Sequence, residues 1–427
     1  MAHFEFTPLY GLNPLVLLVS TLFILFGEIG LFAAGREGRP VSLEECLALA
    51  EAGHPALEEA RAALAGQEAK LGGVRAGFAL KGNLSASASK DSGSDGSYSA
   101  SFSVSKLISD GGKNALERKN QALSVEGASE SRRETLLAVR TGVKEAYWGL
   151  LLAMKKRDQA EEAVSTYGRH LEKARGFYEA GAKAKFDVTR AEVDLSAARI
   201  DLLSAESALE TARAALTRAV GVNLDDATPL SDFIPPVEIP GETLALAQAL
   251  ENRPDVRSAR LKSEAGRLGI SIAARGNAAT LSVTGSVRLS GTGLPPDDSL
   301  SAGLTLSVPV FDGGATNFKI AEARATAGGL EASLKKLEQT VRYEVRSSLL
   351  SVKEAEARIT AAGLLVRQAK ENLDLAEGRY EMGVGSALEV ADALLSYNSA
   401  LVGRYQALHD YSKSVAALEK TLGGEFK

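Results

Sequence analysis

The chain consists of two copies of one unit laid end to end, and this restricts its fold more than any other feature. Ser109-Asp110-Gly111-Gly112 recurs as Phe311-Asp312-Gly313-Gly314, 202 residues later. At the same spacing Tyr178-Glu179-Ala180-Gly181 meets Tyr380-Glu381-Met382-Gly383, Asp187-Val188 meets Glu389-Val390, and Val220-Gly221 meets Leu422-Gly423. Upstream the spacing falls to 199, where His54-Pro55 meets Arg253-Pro254. The slip is confined to Ala88–Tyr98 in one copy and Val287–Leu300 in the other. Both stretches are rich in turn formers, so they read as loops that tolerate insertion. Residues 222–241 hold Pro229, Pro235, Pro236 and Pro240 and form an extended linker. The expected organisation is a first repeat over 36–221, the linker, and a second repeat over 242–427.

Within each copy the hydrophobic period changes twice. Leu84, Ala86 and Ala88 alternate with serines, as do Tyr98, Ala100, Phe102 and Val104. Leu281, Val283, Val287 and Leu289 repeat the pattern, followed by Leu300, Ala302, Leu304, Leu306, Val308 and Val310. Period two predicts strands with one apolar and one Ser/Thr face. Arms of about 10 residues match tilted strands crossing a bilayer. Four strands cannot close a barrel alone, and lipid forbids open edges. Other chains must complete the sheet, and three copies would supply twelve strands. Downstream, Asp110–Tyr178 and Asp312–Tyr380 contain no proline. Each predicts a helix of roughly 100 Å at about 1.5 Å per residue. Val139, Val143, Tyr147 and Leu150 match Val341, Val345, Leu349 and Val352 as the packing stripe of such a helix. Shorter helices follow, from Ala184 to about Ala219 and from Ala387 to about Leu422. Others precede the strands, from Ser42 to about Leu71 and from Glu242 to about Ala274. The fold class is therefore mainly α with a small β part.

Leu15–Phe26 is apolar, continues to Ala34, and ends in small residues suited to a signal peptidase, so residues 1–35 read as an export signal. No Lys or Arg precedes Pro14, which leaves an uncleaved anchor or a misassigned start as alternatives. One cysteine excludes a disulfide framework and Cys-rich metal sites, and Cys46 reads as a buried, inert thiol. A net charge of −5 gives no sign of nucleic-acid binding. His3, His54, His170 and His409 have no paired Cys or spaced acid and read as surface residues. Gly111-Gly112-Lys113-Asn114 lacks the features of a phosphate loop. Tyr147 and Trp148 read as core. Nothing here supports an enzyme, a cofactor or a metal.

With these elements in place, residues 40–423 resemble the outer-membrane efflux channel family, the TolC-like proteins. The duplication, the Phe311–Gly314 turn, and Tyr380-Glu381-Met382-Gly383 followed by Leu388-Glu389-Val390-Ala391-Asp392-Ala393 carry the resemblance. It implies a homotrimer with a twelve-stranded barrel in the outer-membrane lipid and a periplasmic α-helical barrel. A periplasmic adaptor and an inner-membrane pump of the RND, ABC or MFS type would open the far end. The chain would then be the passive exit duct of a tripartite efflux or type I secretion system in a Gram-negative cell. A long coiled-coil scaffold is the alternative, and it explains neither the serine-alternating strands nor the export signal.

The turns at Tyr178–Gly181 and Tyr380–Gly383 are expected to reverse the helices, with glycine taking the left-handed conformation. Glu389 and Asp392 share one face near a helix N-terminus. By resemblance they, with Asp187, line the periplasmic constriction and favour cations. Lys183, Lys185 and Arg190 surround Asp187, whereas Gly385, Ala387 and Asp392 stand at the matching places. One hairpin thus bears most of the acid, and basic groups of the other, Lys183 and Arg190, are candidate latches, with Arg190 paired to Glu389 or Asp392. The family often has a basic residue where Gly385 stands, so one latch is expected to be missing. The sequence does not discriminate among cargoes.

Overall fold

The computed structural model describes residues 41–224 and 232–425, apart from 91, 94, 95 and 294. The expected export signal lies outside the described residues. The first repeat comprises α1 (Leu43–Gly53), α2 (Pro55–Ala76), β1 (Lys81–Ser89), β2 (Ser97–Ser109), α3 (Lys113–Glu179) and α4 (Lys185–Val220). The second comprises α5 (Glu242–Asn252), α6 (Pro254–Ala274), β3 (Thr280–Gly291), β4 (Asp297–Ser307), α7 (Ala315–Glu381) and α8 (Ala387–Leu422). The long helices α3 and α7 each have 67 residues, and α4 and α8 each have 36.

One expectation needs correction. The helix preceding the strands is two helices in each repeat, broken at His54-Pro55 and Arg253-Pro254. Proline disfavours helical geometry in the residue before it. His54 is accordingly extended at φ −70°, ψ 126°, and Arg253 at φ −63°, ψ 125°. His54 also caps α2, its Nδ1 accepting the Ala56 N–H at 3.2 Å.

The Asp-Gly-Gly turns start the long helices. Asp312 accepts the N–H groups of Gly314 (2.9 Å) and Thr316 (2.8 Å). Asp110 does the same for Gly112 (3.0 Å) and Asn114 (2.7 Å). A carboxylate here satisfies amides that would otherwise be orphaned at a helix start. Bonds from Thr316 first, then Asn277, hold the Asp312 carboxyl well below the usual range.

The duplication is legible in the core. Val139, Val143, Tyr147 and Leu150 of α3 pack with Cys46, Ala50, Leu57, Leu209, Leu216 and Val220. Their equivalents Val341, Val345, Leu349 and Val352 of α7 pack with Ala245, Ala249, Val256, Tyr411, Leu418 and Leu422. Val143 and Val345 are essentially fully buried, which contributes about 1.5–3 kcal/mol each. Cys46 lies in the first cluster, and burial pushes its thiol up to about 11, so it is inert at neutral pH. Trp148 and Tyr147 are core, as expected. The described parts of the linker, 222–224 and 232–241, are irregular, and the second crosses between the clusters: Ile234 touches both, and Val237 N–H donates to Tyr411 Oη at 2.8 Å. Half-buried Lys144 of α3 bonds Glu419 of α8 at 2.6 Å, tying the repeats together.

The strands form one antiparallel sheet in the order β1-β2-β3-β4, so the repeats join where β2 pairs with β3. Rows across the sheet are largely apolar on one face and largely serine or threonine on the other. Leu84, Phe102, Val287 and Leu300 form an apolar row, and all four are exposed. On the opposite face serine hydroxyls bond across strands, Ser85 to Ser101 and Ser286 to Ser301, both at 2.8 Å. Along each strand, then, one face is mainly hydroxyl and the other mainly hydrocarbon. The outer edges of β1 and β4 have no partner strand among the described residues. No described helix is long and apolar enough to cross a membrane.

Candidate functional site

The expected site residues gather where α3 turns into α4 and α7 into α8. The turns are built alike. Gly181 at φ 71° and Gly383 at φ 79° take the left-handed conformation, which costs glycine little. The Gly181 N–H donates to Tyr178 O and the Gly383 N–H to Tyr380 O, both at 3.0 Å. The second turn winds tighter. Gly385 N–H donates to Arg379 O at 2.9 Å, and a Cβ on Gly385 would lie 2.9 Å from the Tyr380 nitrogen. Only glycine fits there without moving backbone.

The two tyrosines differ despite their matched positions. Tyr178 is 45% exposed, whereas Tyr380 is 2% exposed. Tyr380 is enclosed by the other hairpin. Phe177 meets it edge-on at 5.5 Å and His170 tilts against it at 5.5 Å, both from α3. The Lys183 ammonium lies 5.1 Å above the same ring. Burial, then the nearby Asp187 carboxylate, push the Tyr380 phenol above its ordinary pKa, so it stays protonated. Its hydroxyl has no hydrogen-bond partner among the described residues.

His170 corrects the surface assignment. It is 8% exposed, and burial holds its imidazole below the ordinary value, offset in part by Asp194 and Glu377. The signal was present: Ala163, Tyr167, His170, Ala174 and Phe177 step by four and three along one helix face. His54 and His409 are half-buried, the latter beside Asp410 at 3.1 Å.

Lys183 does bridge the hairpins, but its partner is a backbone oxygen. Its Nζ donates to Gly385 O at 3.0 Å. These are equivalent positions of the two repeats, so the lysine of one copy reaches the carbonyl of its own counterpart. Within this chain Arg190 meets neither Glu389 nor Asp392. It bonds Asp194 one turn along α4, at 3.3 Å, because i,i+4 neighbours on a helix are within reach whatever the hairpins do. The Glu389 N–H donates to Ser386 Oγ at 3.2 Å, which caps α8, and its carboxylate accepts from Arg379 Nε at 3.3 Å, a contact the sequence reading missed. Asp392 is exposed and borders a groove of about 650 Å³ between the hairpins, shared with Tyr167, Arg190, Asp194, Asp201 and Gln406. Asp187 sits in the first turn of α4. The tips thus offer carboxylates and two cross-hairpin cations, Lys183 and Lys173, the latter bonding Glu381 at 2.6 Å, around a buried aromatic joint. Among the described residues no group of side chains could hold a metal ion.

The model of the family described as outer membrane efflux protein matches residues 46–222 and 245–424, one match per repeat. The toluene efflux pump outer membrane protein TtgC of Pseudomonas putida is 26% identical over 352 residues, covering 78% of this chain and 70% of TtgC. The outer membrane protein TolC of Escherichia coli is 23% identical over 342 residues, covering 76% and 69%. The crystal structure of the Campylobacter jejuni CmeC outer membrane channel superposes with a TM-score of 0.79 at 18% identity, covering 90% of this chain and 86% of CmeC. With the duplication, the four-stranded sheet and the paired long helices, these matches establish that the chain belongs to the outer membrane efflux protein family, whose members are channels of the outer membrane rather than enzymes.

Proposed function

We propose that three copies assemble into a passive exit duct, with twelve strands closing a barrel in the outer membrane and twelve helices enclosing a periplasmic tunnel. The open sheet carries this reading. It has two unpaired edges and an exposed apolar face, and both are untenable in lipid unless neighbouring chains pair with β1 and β4. A periplasmic adaptor and an inner-membrane pump open the far end, where the hairpin tips close it. Glu389 and Asp392, with Asp187 nearby, form acidic rings at that constriction and favour cations. Arg379 screens part of the Glu389 charge, so Asp392 supplies most of the preference. Lys183 is the latch, standing in for the side chain that Gly385 cannot carry. The names of relatives refer to toluene, antibiotic and solvent efflux, which supports small molecules as cargo.

The test is reconstitution of the purified chain in planar bilayers. The expected result is a trimeric mass and steady ion current whose cation preference falls in Glu389→Ala with Asp392→Ala. Recovery as a soluble monomer without current would refute the duct. Current with an unchanged cation preference would refute the acidic rings.

A further inference from the structure

The serine face of the sheet has seven rows, read from the strand register. The third row from the hairpin loops is Ser85, Ser101, Arg288 and Ser299. The other charges on this face are Lys81, which opens β1, and Asp297, which opens β4 in the row next to Arg288. Charges on the apolar face, Lys106 and Asp298, are also displaced from the centre, as lipid requires. Arg288 is thus an arginine in the loop-side half of the sheet, with serines at the other positions of its row. It makes no hydrogen bond or ion pair among the described residues, and it is exposed. Asp297, one row nearer the loop, does not engage it. A guanidinium left unpaired inside a polar wall is not explained by folding, because every other position of its own row is serine and Asp297, the acid in the adjacent row, forms no pair with it.

We infer that Arg288 makes the loop-side half of the lumen an oxyanion-binding ring, a guanidinium flanked by serine hydroxyls that takes sulfonate, carboxylate or phosphate groups. The inference rests on the trimeric duct proposed above, which sets three such arginines around one water-filled space. The planar fork matches two oxygens of an oxyanion, and the neighbouring hydroxyls of Ser101 and Ser299 are further donors. The ring lies in the barrel, remote in sequence and place from the helix tips. The duct therefore presents opposite charge at its two ends: acid at the periplasmic entrance and base near the exit. Cations are gathered at the entrance and released from a wall that does not hold them, while anionic groups find their contact only in the barrel.

The test is block of the ion current by naphthalene trisulfonate added on the side of the hairpin loops, with the full chain in planar bilayers at about 10 mM salt, where screening extends over roughly 30 Å. Arg288→Ser should raise the half-blocking concentration about tenfold, from three lost charges acting on a trivalent probe. Arg288→Lys should stay within about threefold of the parent, and Asp297→Asn should lower the value. Equal block in the parent and Arg288→Ser, with both trimeric, overturns the ring while leaving the duct intact. A parent that passes no current overturns the duct reading itself.

Discussion

Lys183→Met should loosen the helix tips without unfolding the chain. The methionine keeps most of the apolar stem and removes the charge. Two interactions go with it. One is a charge-assisted bond to Gly385 O at 3.0 Å, worth about 1.5–3 kcal/mol when shielded. The other is the placement of the ammonium 5.1 Å above the Tyr380 ring, worth about 0.5–1 kcal/mol at accessible sites. Lys183 is half-buried, so the bond belongs near the lower end of its range and the two together come to about 2 kcal/mol. If the tips open locally, that is about thirtyfold in the opening equilibrium. Hydrogen–deuterium exchange of residues 181–186 and 383–388 reads it directly. Arg379→Met is the control. Its pair with Glu389 is solvent-exposed on both sides, worth at most about 1 kcal/mol, and it lies within one hairpin. Exchange in Lys183→Met less than threefold faster than in the parent would refute the latch. So would an equal acceleration in Arg379→Met.

Three further outcomes are expected. His170 prefers the neutral ring in its packed place. Its contribution to tip packing is therefore present above its ordinary pKa of 6.5 and is lost as the pH falls toward the lowered value, so tip protection, taken relative to the intrinsic exchange rate at each pH, should fall between pH 7 and 5. His170→Asn should flatten that dependence, and a profile unaltered by the substitution would assign the effect to other groups. Gly385→Ala forces a Cβ to 2.9 Å from the Tyr380 nitrogen. The turn must then shift, and crystallography should find Lys183 parted from residue 385. Tyr411→Phe removes the acceptor of the Val237 N–H. A loss of about 1 kcal/mol in unfolding free energy is expected, with faster exchange across 233–240.

Much of this architecture follows from local patterns. Strict alternation fixes the strands, and the spacing of Val139, Val143 and Tyr147 fixes the buried face of α3, because both periodicities are properties of neighbouring residues. The helix breaks before the strands were equally local. Pro55 and Pro254 marked them, and the runs of strong helix formers on either side concealed them. The tip chemistry is a different matter. Tyr178 and Tyr380 occupy equivalent places, yet one is exposed and the other buried, because the environment of Tyr380 is made by Phe177 and His170 of another helix about 200 residues away in sequence. The partners of Arg190 and Glu389 were likewise settled by neighbours on their own hairpins. A carboxylate and a cation within one or two helical turns meet before any contact across the interface is available to them.

The equal lengths of α3 and α7, and of α4 and α8, act as a gauge. Removing one residue from α7 alone would draw its tip back by about 1.5 Å and turn it by about 100°. Tyr380 would swing out from between Phe177 and His170, and the carbonyl of Gly385 would leave the reach of Lys183. The two arms can thus differ at every side chain but must agree in residue count to meet at one level. The hairpin loops, where the copies differ by three residues, bear no such constraint. Insertions there change what the molecule displays beyond the sheet and leave its depth untouched.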